Sequence, residues 1–337
     1  MLFIHQYPDW TNFRYSLQAV SEPLARIHFL QGVLQGKLFF ARDAERLSKV
    51  RTRELEAIFR IAERPEVPQV FYAAARNFAM PMTEKRLLAL HAALVENGGC
   101  YRETADAPGK DLFHGFRGVS WERIPQEMAR FFRFFDGSPM DGVLKASLAH
   151  FWLSAVRPFA SGNGVLSRIL CDMLLSRSEN SSVRCYVLNE EILKDRNGYF
   201  EALSRAERSS GDVTEWILWF LSKMEAALLN AEREWSAEFE ASRRRLFLGG
   251  VSLSEREQGL VRYLEEHPGE RLSSSLCAKI SGVSHDSALR DLKSLVEKGV
   301  LSKLGGKGRN TRYELAWERF LSKRKIPILK ETFGRSS

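Results

Sequence analysis

The residues best suited to chemistry lie in one segment, residues 157–168, which reads Arg-Pro-Phe-Ala-Ser-Gly-Asn-Gly-Val-Leu-Ser-Arg. The glycines of Gly162-Asn163-Gly164 allow backbone N–H groups to approach a ligand closely. A helix that begins here adds unpaired N–H donors and partial positive charge, and Arg168 lies one turn inside it. We therefore predict that the segment binds phosphate oxygens or another anion. The alternative is a glycine-rich helix–helix connection without a ligand.

Two helices are expected to position this segment. Apolar residues recur at helical spacing before it and after it. Pro158 is expected to end the first helix, and Gly162 to open the second. The periodic apolar residues are Leu144, Leu148, Phe151, Trp152 and Ala155 before the segment, and Leu166, Ile169, Leu170, Met173 and Leu174 after it.

The segment resembles the signature of the Fic (Fido) family, His-Pro-Phe-x-Asp/Glu-Gly-Asn-Gly-Arg-x-x-Arg, which lies between two core helices. Members of that family usually transfer AMP from ATP to a protein hydroxyl. The resemblance implies that the histidine is the general base and that the acidic residue holds magnesium. It also implies that the Gly-Asn-Gly loop and the arginines bind phosphates. The positions that match are Pro158, Phe159, Gly162, Asn163, Gly164 and Arg168.

Three positions depart from the signature, and all three carry chemistry. Arg157 stands at the base position, and a guanidinium with a pKa above about 12 cannot accept a proton near neutral pH. Ser161 replaces the acidic residue and leaves magnesium binding in doubt, because a hydroxyl is a poorer ligand than a carboxylate. Val165 replaces the first arginine. We predict that AMP transfer is impaired or absent, with ATP or nucleotide binding left open, and that His150 is a packed residue rather than a substitute base.

Residues 52–57 resemble the inhibitory helix of the family, Ser/Thr-x-x-x-Glu-Gly/Asn. Thr52 and Glu56 match this pattern, and Ala57 replaces its last residue. In the family the glutamate pairs with the last signature arginine and blocks the ATP γ-phosphate. We predict a Glu56–Arg168 ion pair, and we favour a structural role for it over an active switch.

Two further stretches resemble Fic sequences. Residues 7–15 resemble the opening of one bacterial Fic subgroup, and we expect them to act as an aromatic packing plug whether or not the resemblance holds. Residues 115–117, Gly-Phe-Arg, resemble the stretch before the flap, a β-hairpin that docks the target protein. Only residues 118–124 then precede Pro125, too few for a full hairpin. We predict that this docking device is missing.

Residues 251–320 predict a separate unit in which three helices precede a hairpin, the order of a winged helix-turn-helix. Its third helix, residues 284–298, is expected to enter a DNA major groove, and the hairpin to meet backbone phosphate. The alternative is a protein-docking module, which Asp286 and Asp291 favour because we expect both on the exposed face. The candidate DNA-binding residues are Ser287, Arg290, Lys307 and Arg309.

Composition limits the remaining classes of protein. The net charge of +8 and pI near 9.3 permit an acidic partner such as DNA or a nucleotide. No apolar run approaches the roughly 20 residues that span a bilayer, so we expect no membrane partner. The start of the chain lacks the features of a secretion signal. The four scattered cysteines indicate reduced thiols in a cytoplasm, and no zinc or other metal site.

The 337 residues suffice for two or three domains, and we predict a mainly α protein. The expected parts are an N-terminal helical cap over 1–98, a Fic core over 99–247, the winged helix-turn-helix over 251–320 and a basic tail over 321–337.

Three functions are consistent with the sequence. The first is a Fic protein with impaired AMP transfer that acts through binding of a nucleotide, DNA or a protein. The second is an enzyme with other phosphate chemistry, in which Arg157 stabilises charge. The third is a DNA-binding regulator whose Fic core serves as a packing and dimerisation body. The protein target, the DNA site and the choice between monomer and homodimer stay open.

Overall fold

The computed structural model describes residues 2–40, 44–62, 69–105, 118–182, 184–267, 269–305 and 311–316. It is mainly helical, which confirms the predicted fold class. The chain divides into two compact units, Met1–Ser236 and Ala237–Ser337. The domain limits expected near residues 98 and 250 stay predictions. The described part of the chain contains no helix that is long and apolar enough to cross a membrane.

Helices form the first unit, and the last of them (Thr214–Leu248) continues past Ser236 into the second unit. Short 3₁₀ turns occur at Ile4–Gln6 and Trp121–Arg123. The α-helices are α1 (Leu17–Phe40), α2 (Ala44–Ile61), α3 (Gln69–Arg76), α4 (Glu84–Leu94), α5 (Ile124–Gly137), α6 (Gly142–Val156), α7 (Asn163–Ser178), α8 (Leu188–Lys194), α9 (Arg196–Glu207) and α10 (Thr214–Leu248).

Helices α6 and α7 pack against each other at the centre of this unit and carry the predicted segment between them. Nearly every residue of both helices is buried, including polar and charged residues of α7 such as Asp172, because neighbouring helices cover them on all sides. The side chain of Asp141 caps α6 by accepting hydrogen bonds from the N–H groups of Val143 and Leu144 at 2.9 and 3.0 Å. The first helix ends before Pro158, as predicted.

Buried charges attach α2 to α7 and α8. Asp172 on α7 pairs with Arg51 of α2 at 2.8 Å and also with Arg184. Glu54 of α2 accepts hydrogen bonds from the backbone N and the Nδ2 of Asn189 at 3.0 and 2.9 Å. Burial alone would raise the pKa of Asp172, but Arg184 and Arg51 hold it below its usual value. The carboxylate therefore stays charged, and α2 is fixed by ion pairs as well as by apolar packing.

Replacing Arg184 by Leu is expected to destabilise the protein by about 3–5 kcal/mol, because Asp172 and Glu54 would lose a buried cationic partner. Urea denaturation measures this loss. Arg205→Leu is the control, since the pair of Arg205 with Glu201 is exposed and such pairs contribute less than about 1 kcal/mol. Equal losses in the two variants would contradict the assigned role of the buried pair.

The N-terminal aromatic residues pack into the core of the first unit. Trp10 is buried and its ring meets those of Trp152 and Phe13 edge-on, at centroid distances of 6.1 and 5.9 Å. Such arrangements stabilise a core beyond the area that they bury. The stretch therefore packs as the aromatic plug that the sequence predicts.

The second unit contains α11 (Glu255–Glu266), α12 (Ser274–Ser281), α13 (His285–Glu297) and a hairpin of β1 (Leu301–Leu304) and β2 (Arg312–Leu315). The strands are antiparallel, with Leu301 opposite Leu315. Leu272 forms a further antiparallel bridge with Tyr313. The predicted order of three helices and a hairpin is thus confirmed. Its core is apolar and includes Leu260, Leu272, Leu292 and Leu295.

The expected exposure of Asp291 is wrong. Asp291 is buried on α13 and pairs with Arg256 of α11 at 3.1 Å, because its position on the helix faces α11 rather than solvent. Asp286 is exposed, as expected. Arg290 is exposed and donates to the hydroxyl of Ser287 at 3.3 Å, whereas Lys307 and Arg309 lie outside the described residues.

Candidate anion-binding site

Two residues with left-handed backbone set the shape of the connection between α6 and α7. Arg157 caps α6 with φ 50° and ψ 62°, a conformation that costs a non-glycine residue energy. Gly162 precedes α7 with φ 81°. Glycine is favoured here because of this backbone, and a Cβ atom would also come within 2.8 Å of the end of the Leu94 side chain, which would have to shift.

Arg102 holds the start of this connection. Its Nε donates to the carbonyl oxygen of Arg157 at 2.8 Å, and its backbone N donates to that of Pro158 at 3.0 Å. The same guanidinium donates to the carbonyl oxygens of Thr104 and Val119. The unusual backbone of Arg157 is therefore stabilised by a buried cation that bonds to carbonyl oxygens.

Two further side chains hold the rest of the loop. Asn163 accepts a hydrogen bond from the backbone N of Phe159 at 3.0 Å and donates to the carbonyl oxygen of Phe159 at 2.7 Å. His91 bonds to the carbonyl oxygen of Ser161 at 3.2 Å. Among the described hydrogen bonds, none uses the N–H groups of residues 160–162. The carbonyl oxygens are thus drawn into the protein, and N–H donors at the start of α7 remain for a ligand.

Arg168 lies over the start of α7, as predicted. Its guanidinium packs beside Gly164: a Cβ atom added to that glycine would lie 3.4 Å from Nη1 of Arg168. It donates to the hydroxyl of Tyr199 at 3.3 Å and to the carbonyl oxygen of Ile58 at 3.2 Å. This buried cation adds positive charge to that of the helix N-terminus.

The predicted Glu56–Arg168 ion pair is wrong. Glu56 is exposed, whereas Arg168 is buried, and no ion pair joins these two described residues. Glu54 faces the core of the unit, and a residue two positions later lies about 200° further around the helix, so Glu56 faces away from it. Helix α2 contacts Arg168 through the backbone of Ile58 instead. An inhibitory role of Glu56 stays a prediction that this contact does not support.

A cavity of about 260 Å³, here called the loop cavity, opens beside the connection. It brings together the predicted residues Arg157, Gly162–Gly164 and Arg168. It also includes residues that the sequence analysis did not single out, above all one face of α9 and the end of α2. These are Ile61, Ala62, Ser154, Tyr199, Phe200, Leu203 and Glu207. The spacing of Tyr199, Leu203 and Glu207, four residues apart, was the available signal.

His150 is not available as a base. It is fully buried, and its Nε2 lies 2.9 Å from the hydroxyl of Tyr199. Burial, and then the charge of Arg168, lowers the pKa of His150 to about 3. The ring is therefore neutral and packed, in agreement with the predicted packing role.

This pKa predicts how stability depends on pH. Because the folded pKa of about 3 lies below the usual 6.5, the neutral ring contributes stability that is complete above pH 6.5 and is lost as the pH falls towards 3. We expect His150 to lower the free energy of unfolding by about 2 kcal/mol between about pH 7.5 and pH 5. Urea denaturation at the two pH values should show that this pH-dependent loss of stability is absent in His150→Leu. Burial lowers the pKa of His5 to about 4, so His5 adds a loss of stability in the same direction to both proteins. If the unfolding free energy falls equally with pH in the parent and in His150→Leu, the lowered pKa of His150 is contradicted.

The residues around the loop do not fit a magnesium ion. Ser161 offers a neutral hydroxyl, and Glu207 on α9 is the carboxylate among the described residues of the loop cavity. Nowhere in the described ranges do three or more His, Cys, Asp or Glu side chains form a cluster that could hold a metal. Magnesium prefers several oxygen ligands that include carboxylates, and this donor set lacks them.

Residues 118–124 form the 3₁₀ turn Trp121–Arg123 and contain no strand. The backbone N of Val119 donates to the carbonyl oxygen of Val156 at 3.3 Å, so this stretch lies against the end of α6. The Gly115–Arg117 motif lies outside the described residues. The missing docking hairpin therefore stays a prediction beyond residues 118–124.

Two buried helices joined by a glycine-rich loop, with an arginine one turn into the second helix, form the candidate anion-binding site. Residues 81–175 match the model of the Fic/DOC family, which identifies a Fic/DOC domain in this part of the chain. Residues 3–57 match a second model, described as a domain of unknown function (DUF4172). No curated protein matches the chain.

Similar solved structures are Fic proteins. A Fic family protein from Desulfovibrio desulfuricans G20 is 19% identical over 88% of this chain and 95% of its own, with a TM-score of 0.53. A Fic-1 fragment from C. elegans is 17% identical over 64% and 73%, with a TM-score of 0.47. A Fic domain containing signaling protein from Bacteroides thetaiotaomicron is 16% identical over 67% and 97%, with a TM-score of 0.42. At this identity, the first of them supports the fold alone.

Proposed function

We propose that this chain is an anion-binding Fic protein that does not transfer AMP. The observation that carries the proposal is the position of Arg157, whose guanidinium lines the loop cavity next to Gly162–Gly164 where the family has its base. A permanent cation cannot remove a proton from a target hydroxyl. The nearby His150 is buried and bonded to Tyr199, so it does not replace that base.

The ligand that this site fits is a phosphate group, as in ATP or another nucleotide. Arg157, Arg168 and the N-terminus of α7 all supply positive charge to the loop cavity. Guanidinium groups bind phosphate oxygens through two parallel hydrogen bonds. Relative to the family signature, the site gains a cation at Arg157, loses one at Val165 and loses the acidic residue at Ser161. These changes leave two arginines beside the carboxylate of Glu207 in the loop cavity, which favours binding of the phosphate over removal of a proton.

Calorimetric titration with ATP and with pyrophosphate, each with and without magnesium, tests this proposal. We expect saturable binding of both ligands to one site per chain, without a requirement for magnesium. Glu56→Gln is the matched control: because Glu56 is exposed, its affinity should stay within about twofold of the parent. Absence of binding by either ligand would refute the proposal, and a large gain in Glu56→Gln would restore the inhibitory role of that residue.

A second function, binding of duplex DNA, is favoured by the distribution of charge. Residues 237–337 contain 20 lysines and arginines against 13 acidic residues, whereas residues 1–236 contain 30 against 29. Nearly all of the net charge of +8 therefore belongs to the second unit. Asp291 is buried and paired with the exposed Arg256, so it presents no unpaired negative charge to DNA. Arg290 is exposed on α13.

Fluorescence anisotropy with a labelled duplex tests this second function. Affinity is expected to fall steeply between about 50 and 200 mM salt, and Arg290→Ala to weaken binding and to lower the salt slope by about 1. Arg262→Ala, which removes an exposed arginine from α11, is the control for charge alone. Equal effects of the two substitutions would indicate nonspecific attraction and contradict a role for α13.

A further inference from the structure

His91 contacts the loop between α6 and α7, residues 157–162, in two ways. It is a buried residue of α4, and its ring stacks on that of Phe159 with a centroid distance of 3.8 Å. Its Nε2 lies 3.2 Å from the carbonyl oxygen of Ser161. On the other side of the ring, the backbone N of Gly99 donates to Nδ1 at 2.9 Å. The imidazole therefore joins the turn after α4 to the loop.

These two hydrogen bonds fix the tautomer of His91. A backbone N–H can only donate, so Nδ1 must accept and carries no proton. A carbonyl oxygen can only accept, so Nε2 carries the proton and donates to Ser161. The contacts to Gly99 and Ser161 are thus both satisfied by one state of the ring, the neutral imidazole with its proton on Nε2.

The bond to Ser161 sets the direction of an N–H group in the loop. In a trans peptide the C=O and N–H groups point in opposite directions. Because the carbonyl oxygen of Ser161 is held by His91, the N–H of Gly162 points away from His91. Gly162 lines the loop cavity, and without this anchor its lack of a Cβ atom would allow the peptide to rotate at small cost. A rotated peptide would present a carbonyl oxygen to the anion.

We infer that His91 is a positioning residue for anion binding: it holds the Ser161–Gly162 peptide so that a donor and not an acceptor faces the ligand. This inference rests on the proposed anion binding. It predicts that the affinity for pyrophosphate depends on the two hydrogen bonds of the ring and not on the bulk of the side chain.

Three variants separate these contributions. His91→Leu fills the space without hydrogen bonds, and we expect it to bind pyrophosphate at least about tenfold more weakly. His91→Gln keeps one acceptor and one donor and should recover most of the affinity. Leu90→Ala, which truncates a buried residue on the same helix, is the control for lost stability. We expect it to lower the melting temperature and to leave the affinity near that of the parent.

Nuclear magnetic resonance provides a readout that packing alone would not change. The ¹⁵N spectrum of the imidazole should show the tautomer with its proton on Nε2, and the amide of Gly162 should shift on addition of pyrophosphate in the parent and in His91→Gln. The opposite tautomer, unchanged affinity in His91→Leu, or an equal loss in Leu90→Ala would overturn the inference. If the parent binds no pyrophosphate, both the proposed function and this inference are wrong. If the parent binds pyrophosphate and His91→Leu binds it equally well, only the inference is wrong.

Discussion

Replacing Arg157 by His and Ser161 by Asp is expected to create the AMP transfer that we propose the parent chain lacks. The position of Arg157 at the edge of the loop cavity would then hold a group whose usual pKa of about 6.5 allows it to accept a proton at neutral pH. Ser161 is exposed, so an aspartate there would offer the carboxylate that a magnesium ion prefers. General bases contribute about 10²–10⁴-fold to rate, and we expect labelling at least about 100-fold above the parent.

Transfer of label from ATP that carries ³²P in its α-phosphate measures this gain, with self-modification as the readout because the protein target is not known. Arg157→Gln with Ser161→Asp is the matched control, since glutamine removes the cation but cannot act as a base. Val165 stays unchanged in all variants. Equal labelling in the histidine and glutamine variants would contradict the role assigned to position 157, and labelling by the parent would contradict it more directly.

Replacing Arg168 by Ala is expected to weaken anion binding by about 100-fold. The guanidinium is buried over Gly164 and held by Tyr199 and the carbonyl oxygen of Ile58, so its orientation is set before a ligand arrives. Hydrogen bonds between charged groups contribute about 1.5–3 kcal/mol each, and one such bond or two account for the expected loss.

Two controls accompany this substitution. Arg168→Lys keeps the charge but not the planar pair of donors, and should lose less affinity than Arg168→Ala. Tyr199→Phe removes one of the contacts that orient Arg168 and should have a smaller effect than either. Circular dichroism and melting temperatures establish that each variant is folded. If folded Arg168→Ala binds pyrophosphate as the parent does, the ligand is not held at the N-terminus of α7.

Local patterns in the sequence were sufficient for the parts of the site that lie close together in the chain. The apolar periodicity on both sides of Pro158 and the glycines at 162 and 164 predicted α6, α7 and the loop between them. The substitution of Arg157 for the family base could be interpreted without a structure, because the protonation of a guanidinium does not depend on its surroundings.

The same patterns gave wrong predictions where the result depends on which face of a helix is buried. The spacing of Thr52 and Glu56 fits the inhibitory motif, but it does not say which face of α2 meets α7. In the structure that face carries Arg51 and Glu54, and their buried partners on α7 and α8 fix it. Asp291 is a second case, since its burial depends on Arg256 of another helix. Both errors have one physical origin, because a single polar residue does not determine the rotation of a helix about its axis.

The residues that hold the loop were missed for a different reason. His91 is 70 positions from Ser161 in the chain, and Arg102 is 55 positions from Arg157. Each contact joins a side chain to a backbone carbonyl oxygen. Every residue has such an oxygen, so the sequence does not indicate which of them accepts the hydrogen bond. Only the three-dimensional structure reveals that these two side chains draw the carbonyl oxygens of the loop inward.

If the proposal is right, the site binds a phosphate-bearing ligand and does not transfer AMP to a protein. Intact-mass spectrometry of the purified chain after incubation with ATP and magnesium, run beside calorimetry on the same sample, tests it most directly. We expect saturable binding of ATP and no adenylylated protein. Rapid addition of AMP to the chain or to an added protein, lost in Arg168→Ala, would contradict it.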